Sequence, residues 1–193
     1  MATMSERRQQ LQEQYYFNCA CDACSDTDRE RRMTSLEGSD EGELDKVKDC
    51  LDVIERMQKD QGEPGEMLGE CEACLAQVKL PAYNVHLTRL RSKAFDLAIE
   101  AQEWDTALDH GTRNLESYRE LNPPFTPAVG YLYANLGKLL MYRGKLDEAV
   151  THLHKAEENF SVSLGSDHYL YGEVRCMLEQ CQAEIAYNES TTS

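Results

Sequence analysis

Long hydrophobic runs are missing from this chain of 193 residues. No stretch approaches the roughly 18 consecutive apolar residues that a membrane span requires. A surplus of positive charge is missing as well: 20 Lys and Arg stand against 35 Asp and Glu, a formal net charge of −15. Such a surface repels phosphate backbones and anionic lipid, so nucleic acid and membranes are poor partners and basic proteins better ones. The opening residues, Met1-Ala-Thr-Met4 and the polar stretch behind them, carry no secretory signal. There is no glycine-rich phosphate loop, no nucleophile elbow, and no carboxylate pair that stands out from the solvated acids. What is there is 41% hydrophobic and 28% charged, too apolar for disorder and long enough for one domain with a core plus an appendage.

Eight cysteines in a chain without a secretory signal call for an explanation other than disulfides. Three crowd into Cys19-Ala-Cys21-Asp-Ala-Cys24, and crowding suggests thiolate ligands. Cys50, Cys71, Cys74, Cys176 and Cys181 are scattered through apolar-periodic segments, where a free cysteine packs as a small hydrophobe.

The pattern along the chain predicts four zones. Residues 1–24 hold a polar helix from Arg7 to Gln14, the aromatic patch Tyr15-Tyr16-Phe17 and the cysteine cluster. Residues 25–42 are rich in Asp, Glu, Arg, Ser and Gly and read as a flexible acidic linker. Residues 43–188 read as one helical domain, and 189–193 as a disordered tail. Leu44, Val47, Leu51, Ile54 and Met57 line one helix face, and Met67, Leu68, Cys71, Cys74, Leu75 and Val78 another. Further helices are predicted near 83–102, 104–121, 127–143, 146–163 and 169–187, about seven in all, with no useful β-alternation after residue 20.

Tyr133-x-x-x-Gly137-x-x-Leu140-x-x-x-Gly144-x-x-x-x-Ala149-x-x-x-Leu153-x-x-Ala156 fits tetratricopeptide spacing, in which small residues let two antiparallel helices approach and Gly144 makes the turn. A weaker copy, Trp104-Asp-Thr-Ala107, aligns with Leu146-Asp-Glu-Ala149. The fold class expected is therefore all-α: tetratricopeptide-like antiparallel hairpins behind a short cysteine-rich segment. A plain antiparallel bundle is the other reading.

Zinc takes four soft or imidazole ligands in a tetrahedron, and the cysteine cluster supplies three of them. A merely reduced cluster is the alternative. For the fourth ligand Cys71-Glu-Ala-Cys74 is a candidate, though i,i+3 spacing on an apolar face favours two core thiols. Asp22 is a poorer match. His86 and His110 read as surface or cap residues, and His152 and His154, two apart, face different sides of their helix. Asp22, Asp26 and Asp28 lack the glycine and terminal Glu of a calcium loop.

The run Arg7-Arg-Gln-Gln-Leu11-Gln-Glu-Gln-Tyr15-Tyr-Phe17-Asn-Cys19-Ala-Cys21-Asp-Ala-Cys24 resembles the junction of SET and post-SET segments in the SET-and-MYND protein lysine methyltransferases. The resemblance continues through Trp104 to Arg119 and Leu178 to Ile185, and so covers nearly the whole chain. It implies that Cys19, Cys21 and Cys24 are post-SET zinc ligands, that Tyr15 lines a substrate-lysine channel, and that Phe17 packs against the adenine of S-adenosylmethionine. It also implies a fourth thiolate from an Asn-His-x-Cys segment that this sequence lacks, together with the cofactor loop and the MYND finger. The expectation is the C-terminal part of such an enzyme, from a truncated product starting at Met1 or Met4, inactive alone, working in the cytoplasm and nucleus on lysine-rich proteins such as histones. A different class of reading is a tetratricopeptide adaptor for chaperone C-terminal tails, with Arg89, Arg91, Lys93, Arg113, Asn135 and Lys138 as candidate carboxylate-binding cations and amides.

Overall fold

The computed structural model describes residues 2–192. Met1, one of the two candidate starts, and Ser193, the end of the expected tail, lie outside the described residues. The described residues form ten helical segments and no strand, in keeping with the all-α expectation: the polar N-terminal helix, the seven helices expected of the helical domain, and two short ones over 22–34 that the sequence does not predict. The chain divides into two compact units, Met1–Glu103 and Trp104–Ser193, where periodicity reads as one helical domain. Periodicity reports which face of a helix is buried, not which helices share a core.

The first unit begins with α1 (Met4–Tyr15), opened by a capping box: Glu6 N–H donates to Thr3 Oγ1 at 3.2 Å, and Thr3 N–H to Glu6 Oε2 at 2.7 Å. It continues through α2 (Asp22–Ser25), α3 (Thr27–Thr34), α4 (Glu41–Lys59), α5 (Pro64–Gln77) and α6 (Val85–Glu100). Helix α4 packs on α5 and α6, and α5 on α6. Their core holds Val47, Ile54, Met67, Leu68, Leu90, Phe95 and Leu97. The α4 and α5 faces are those that the three- and four-residue spacing predicts.

Residues 25–42, expected to be a mobile linker, are a correction: they carry α3 and lead into α4. Asp26 caps α3 by accepting from Arg29 N–H at 2.8 Å, and Asp40 caps α4 by accepting from Glu43 N–H at 2.9 Å. Met33 is buried, and the buried Asn84 donates through Nδ2 to the Ser35 carbonyl at 3.0 Å. Acid-rich composition hid two local caps and one apolar anchor.

The second unit holds α7 (Trp104–Leu121), α8 (Pro127–Tyr142), α9 (Leu146–Ser163) and α10 (Tyr169–Thr192). Trp104 and Leu146 open α7 and α9, and Ala107 and Ala149 are buried at matching positions, as the repeat alignment predicts. Helices α8 and α9 make a close antiparallel hairpin. A Cβ on Gly130 would sit 2.6 Å from Phe160 Cε1, and one on Gly137 2.6 Å from Leu153 Cγ, so partners descend along α9 as positions ascend along α8. Gly144, at φ +70°, turns the chain between them. Val174, Leu178 and Cys181 of α10 close the core against α9. Helix α10 runs on through residues 189–192, where the sequence predicts a disordered tail.

Candidate metal centre

Helix α1 ends at Tyr15, and the left-handed Tyr16, at φ 57°, turns the chain back so that the cysteine loop follows directly. The Cys24 N–H donates to the Cys21 carbonyl at 2.9 Å, which closes the loop at the start of α2. Arg8, one turn into α1, grips that loop from outside: Nε donates to the Cys19 carbonyl at 3.3 Å and Nη2 to the Cys24 carbonyl at 2.7 Å. Backbone geometry and one guanidinium thus fix the three side chains.

The sulfurs of Cys19, Cys21 and Cys24 all lie within 4.8 Å of one another. An ion about 2.3 Å from each sulfur needs sulfurs roughly 3.8 Å apart, so the donor set fits a thiophilic cation. Cys24 is 2% exposed, Cys21 is open to solvent and Cys19 lies between. The Cys21 side chain makes no cap hydrogen bond at the start of α2. The Cys21 backbone hydrogen bond pulls the Cys19 thiol down, but hydrogen bonds with the Cys21 and Cys24 thiols outweigh it and leave Cys19 above the ordinary thiol range. A cation at the cluster would offset this resistance of Cys19 to ionisation. A bound zinc ion would cross-link the loop, held by Cys19, Cys21 and Cys24.

The other predicted site residues are placed as follows. Tyr15 is 66% exposed and Phe17 47% exposed, on the same segment as the sulfurs and facing solvent. Cys71 and Cys74 lie on α5 and join no metal-sized cluster with the triad among the described residues. His110 is buried on α7, a correction to its reading as a surface or cap residue: the α7 face it shares with Ala107, Gly111 and Asn114 is the inner one. Cys176, read as a packing cysteine, is exposed. His152 Nδ1 lies 3.0 Å from the Glu148 carbonyl, and His154 lies 3.5 Å from Glu157.

Arg89, Lys93 and Arg113, among the cations proposed to bind carboxylates, have partners within the chain. Arg89 holds Glu6, Lys93 Nζ donates to Gln58 Oε1 at 3.0 Å, and Arg113 Nε donates to Asp109 at 3.0 Å. Sequence reasoning missed a groove of about 430 Å³ in the second unit, lined by Arg119, Phe125, Tyr133, Lys155 and Asn159. Lys155 Nζ sits over the Tyr133 ring, 5.5 Å from its centroid. Lys155, Glu158 and Asn159 on α9 form no sequence motif that marks a groove.

The fold and the triad define an all-helical protein, among its described residues, with three converging thiols near its head that could hold a metal ion. No family model matches the chain. Histone-lysine N-methyltransferase SMYD3 of Homo sapiens is 30% identical to it over 187 residues, covering 96% of this chain and 43% of that protein. N-lysine methyltransferase SMYD2-A of Danio rerio is 27% identical over 187 residues, covering 91% and 42%. SMYD2 of Homo sapiens is 26% identical over 185 residues, covering 90% and 42%. The chain spans less than half the length of the curated relatives it matches. It is a homologue of the SMYD lysine methyltransferases, the family to which the Tyr15-to-Cys24 segment points.

Proposed function

We propose that this chain is the C-terminal part of an S-adenosylmethionine-dependent protein lysine methyltransferase. It contributes three thiolates to a four-ligand zinc centre and a tetratricopeptide-like helical domain that borders the substrate cleft. The observation that carries this reading is the convergence of Cys19, Cys21 and Cys24 directly after Tyr15 and Phe17. A SET core supplies the fourth ligand and the remainder of the pocket. In the completed site Tyr15 desolvates the lysine amine so that it is neutral and nucleophilic, and the flat ring of Phe17 stacks on the adenine. S-adenosylmethionine supplies the methyl group. Methyl transfer depends on alignment of sulfonium and amine, so a segment whose Tyr15 and Phe17 face solvent does not catalyse it alone. The net charge of −15 favours lysine-rich substrates such as histone tails.

The test is reconstitution. The chain is mixed with a SET-core fragment of a homologue, and methylation of a histone peptide is followed with zinc present. Activity in the mixture but in neither part alone, lost on Cys24→Ser, is the expected result. Methyl transfer by the chain alone, or no activity in a mixture that forms a zinc-loaded complex, overturns the proposal.

A second reading, capture of an acidic protein segment, is favoured by the groove where Arg119 and Lys155 meet Phe125 and Tyr133. An acidic pentapeptide of the chaperone-tail type should bind the chain and lose at least tenfold affinity with Lys155→Glu. No binding by calorimetry removes this reading and leaves the first untouched.

A further inference from the structure

In the second unit Arg113, Arg143, Lys145 and Arg175 each pair with a carboxylate. Arg119, in the last turn of α7, and Lys155, on α9, pair with none among the described residues, although the chain carries 35 acids to 20 bases. Both line the groove of about 430 Å³. The Tyr133 ring steadies Lys155 there, with Nζ 5.5 Å from its centroid. A third donor is set deeper. Asn159 lines the same groove and is 6% exposed. Its Oδ1 accepts from Ser163 Oγ at 3.2 Å, while its Nδ2 has no acceptor among the described residues. A buried amide N–H calls for an acceptor, and here a ligand can bring one.

The start of α8 adds positive potential and an aromatic face. Thr126 gives this helix no side-chain cap; its hydroxyl donates instead to the Pro123 carbonyl at 2.7 Å. Phe125 and Val129, on either side of the first turn, line the groove, so the positive end of a 16-residue helix borders it. Phe125 stands at φ 58°, a left-handed conformation strained for a bulky residue, and its ring is 42% exposed. Pro123 and Pro124 stiffen the chain in front of it. Backbone strain that holds an aromatic ring toward water, beside three free donors, marks a recognition surface rather than a packing element.

We propose that this groove binds a phosphotyrosine side chain of an extended peptide, with the phosphate held by Arg119, Lys155 and Asn159 Nδ2 and the ring laid against Phe125. The proposal rests on the second reading above, capture of an acidic segment, and names the acid. A phosphate carries nearly two negative charges and three acceptor oxygens, which suits two cations and an amide donor. A carboxylate carries one charge and two oxygens. Arg119 and Lys155 are long and exposed, so both heads can swing to one phosphate in a groove of this size. Phosphoserine brings the same anion without a ring and leaves Phe125 unused. Glu158 also lines the groove, and its carboxylate suits a backbone N–H or a basic side chain flanking the phosphotyrosine. The net charge of −15 repels long polyanions. A single phosphate instead feels the cations beside it, within the roughly 8 Å that salt leaves unscreened.

Calorimetry on the full chain tests this with the end-capped pentapeptide Ala-Ala-phosphotyrosine-Ala-Ala, whose phosphate is its only charge. The comparison ligands are the same peptide with tyrosine, the same peptide with phosphoserine, inorganic phosphate, and the acidic pentapeptide of the chaperone-tail type. The phosphotyrosine peptide should bind about tenfold or more tightly than each of these, and should weaken as salt rises. Arg119→Ala and Lys155→Glu should each cost it about tenfold or more, and Phe125→Ala should reduce it to the level of phosphoserine, all with unchanged helical circular dichroism. The proposal is overturned if phosphotyrosine binds no better than tyrosine or phosphoserine, or if a folded charge variant keeps full affinity. Inorganic phosphate binding as tightly as the peptide shows an adventitious ion only and also overturns it. Binding of the acidic pentapeptide without binding of phosphotyrosine overturns it while leaving the acidic-segment reading in place.

Discussion

The Arg89 guanidinium grips both carboxylate oxygens of Glu6, residues 83 apart in sequence, with Nη1 to Oε1 at 2.9 Å. The bond ties α1, and with it the cysteine loop, to α6. The Arg89 hydrogen bond, helped by the Thr3 backbone N–H and opposed by burial, holds the Glu6 carboxyl down at about 2.

A carboxyl with a depressed pKa stabilises the fold above its unfolded value and loses that contribution as the pH falls through the folded one. Glu6 therefore supports α1 at neutral pH, and its share disappears between the ordinary value of 4.5 and about 2. The Glu6 side chain is 39% exposed, so solvent screening limits the effect to about 1 kcal/mol. Glu6→Gln keeps an acceptor for the cap and removes the charge. Its urea midpoint should be lower than wild type at pH 7 and nearly equal to it at pH 2.

Arg8 is expected to set the affinity of the thiol triad without touching the metal. Its two hydrogen bonds, to the Cys19 and Cys24 carbonyls, fix the loop that carries the ligands. Arg8→Ala should weaken zinc binding about tenfold or more in chelator competition, the usual cost of losing outer-shell support. Cys21→Ser should abolish the cobalt charge-transfer band. Because the thiols ionise on binding, affinity should fall as the pH drops below neutrality in wild type and Arg8→Ala alike.

Local signals made much of this molecule legible. The α4 and α5 faces, the Gly144 turn, the matching starts at Trp104 and Leu146, and the crowding of Cys19, Cys21 and Cys24 each depend on neighbours within a few residues. What escaped depends on partners distant in sequence. Nothing around Ser35 announces that Asn84 will bind its carbonyl, and nothing around Glu6 announces Arg89. The acids of 25–42 look like solvation until Asp26 and Asp40 are seen accepting backbone N–H groups. Cys50 and Cys74 each pass for core packing, because two helices must be docked before their thiols reach the Glu70 and Lys46 carbonyls.

Asn84 gives the largest single-residue prediction in the first unit. It is 0% exposed. Its Oδ1 accepts from His86 N–H at 3.0 Å and Leu87 N–H at 3.4 Å, and its Nδ2 donates to Ser35. Asn84→Ala strands two helix donors and a carbonyl together, at about 2–3 kcal/mol. Asn84→Ser restores the cap acceptor but not the donor, so its loss should be smaller, about 1 kcal/mol. Chemical denaturation of the two variants separates the cap from the tie to Ser35, and equal losses would show that the cap carries no weight.

The α8–α9 hairpin allows a test in which helix propensity and packing oppose each other. Alanine in place of a helical glycine should stabilise by up to about 1 kcal/mol where there is room. At Gly172, on the exposed side of α10, nothing lies within 4 Å of an added Cβ, and Gly172→Ala should raise the melting temperature. At Gly137 the added Cβ would meet Leu153 Cγ at 2.6 Å, Cδ2 at 2.7 Å and the Leu153 backbone nitrogen at 3.4 Å. Cγ is not the free end of a flexible chain, and Leu153 is fully buried, so the helices must separate. Overpacking of this kind costs about 1–3 kcal/mol and outweighs the propensity gain. Gly137→Ala should therefore melt below wild type, and shortening the opposing residue as well, in Gly137→Ala with Leu153→Val, should recover part of the loss. If both alanine variants melt above wild type, the hairpin is looser than this packing requires.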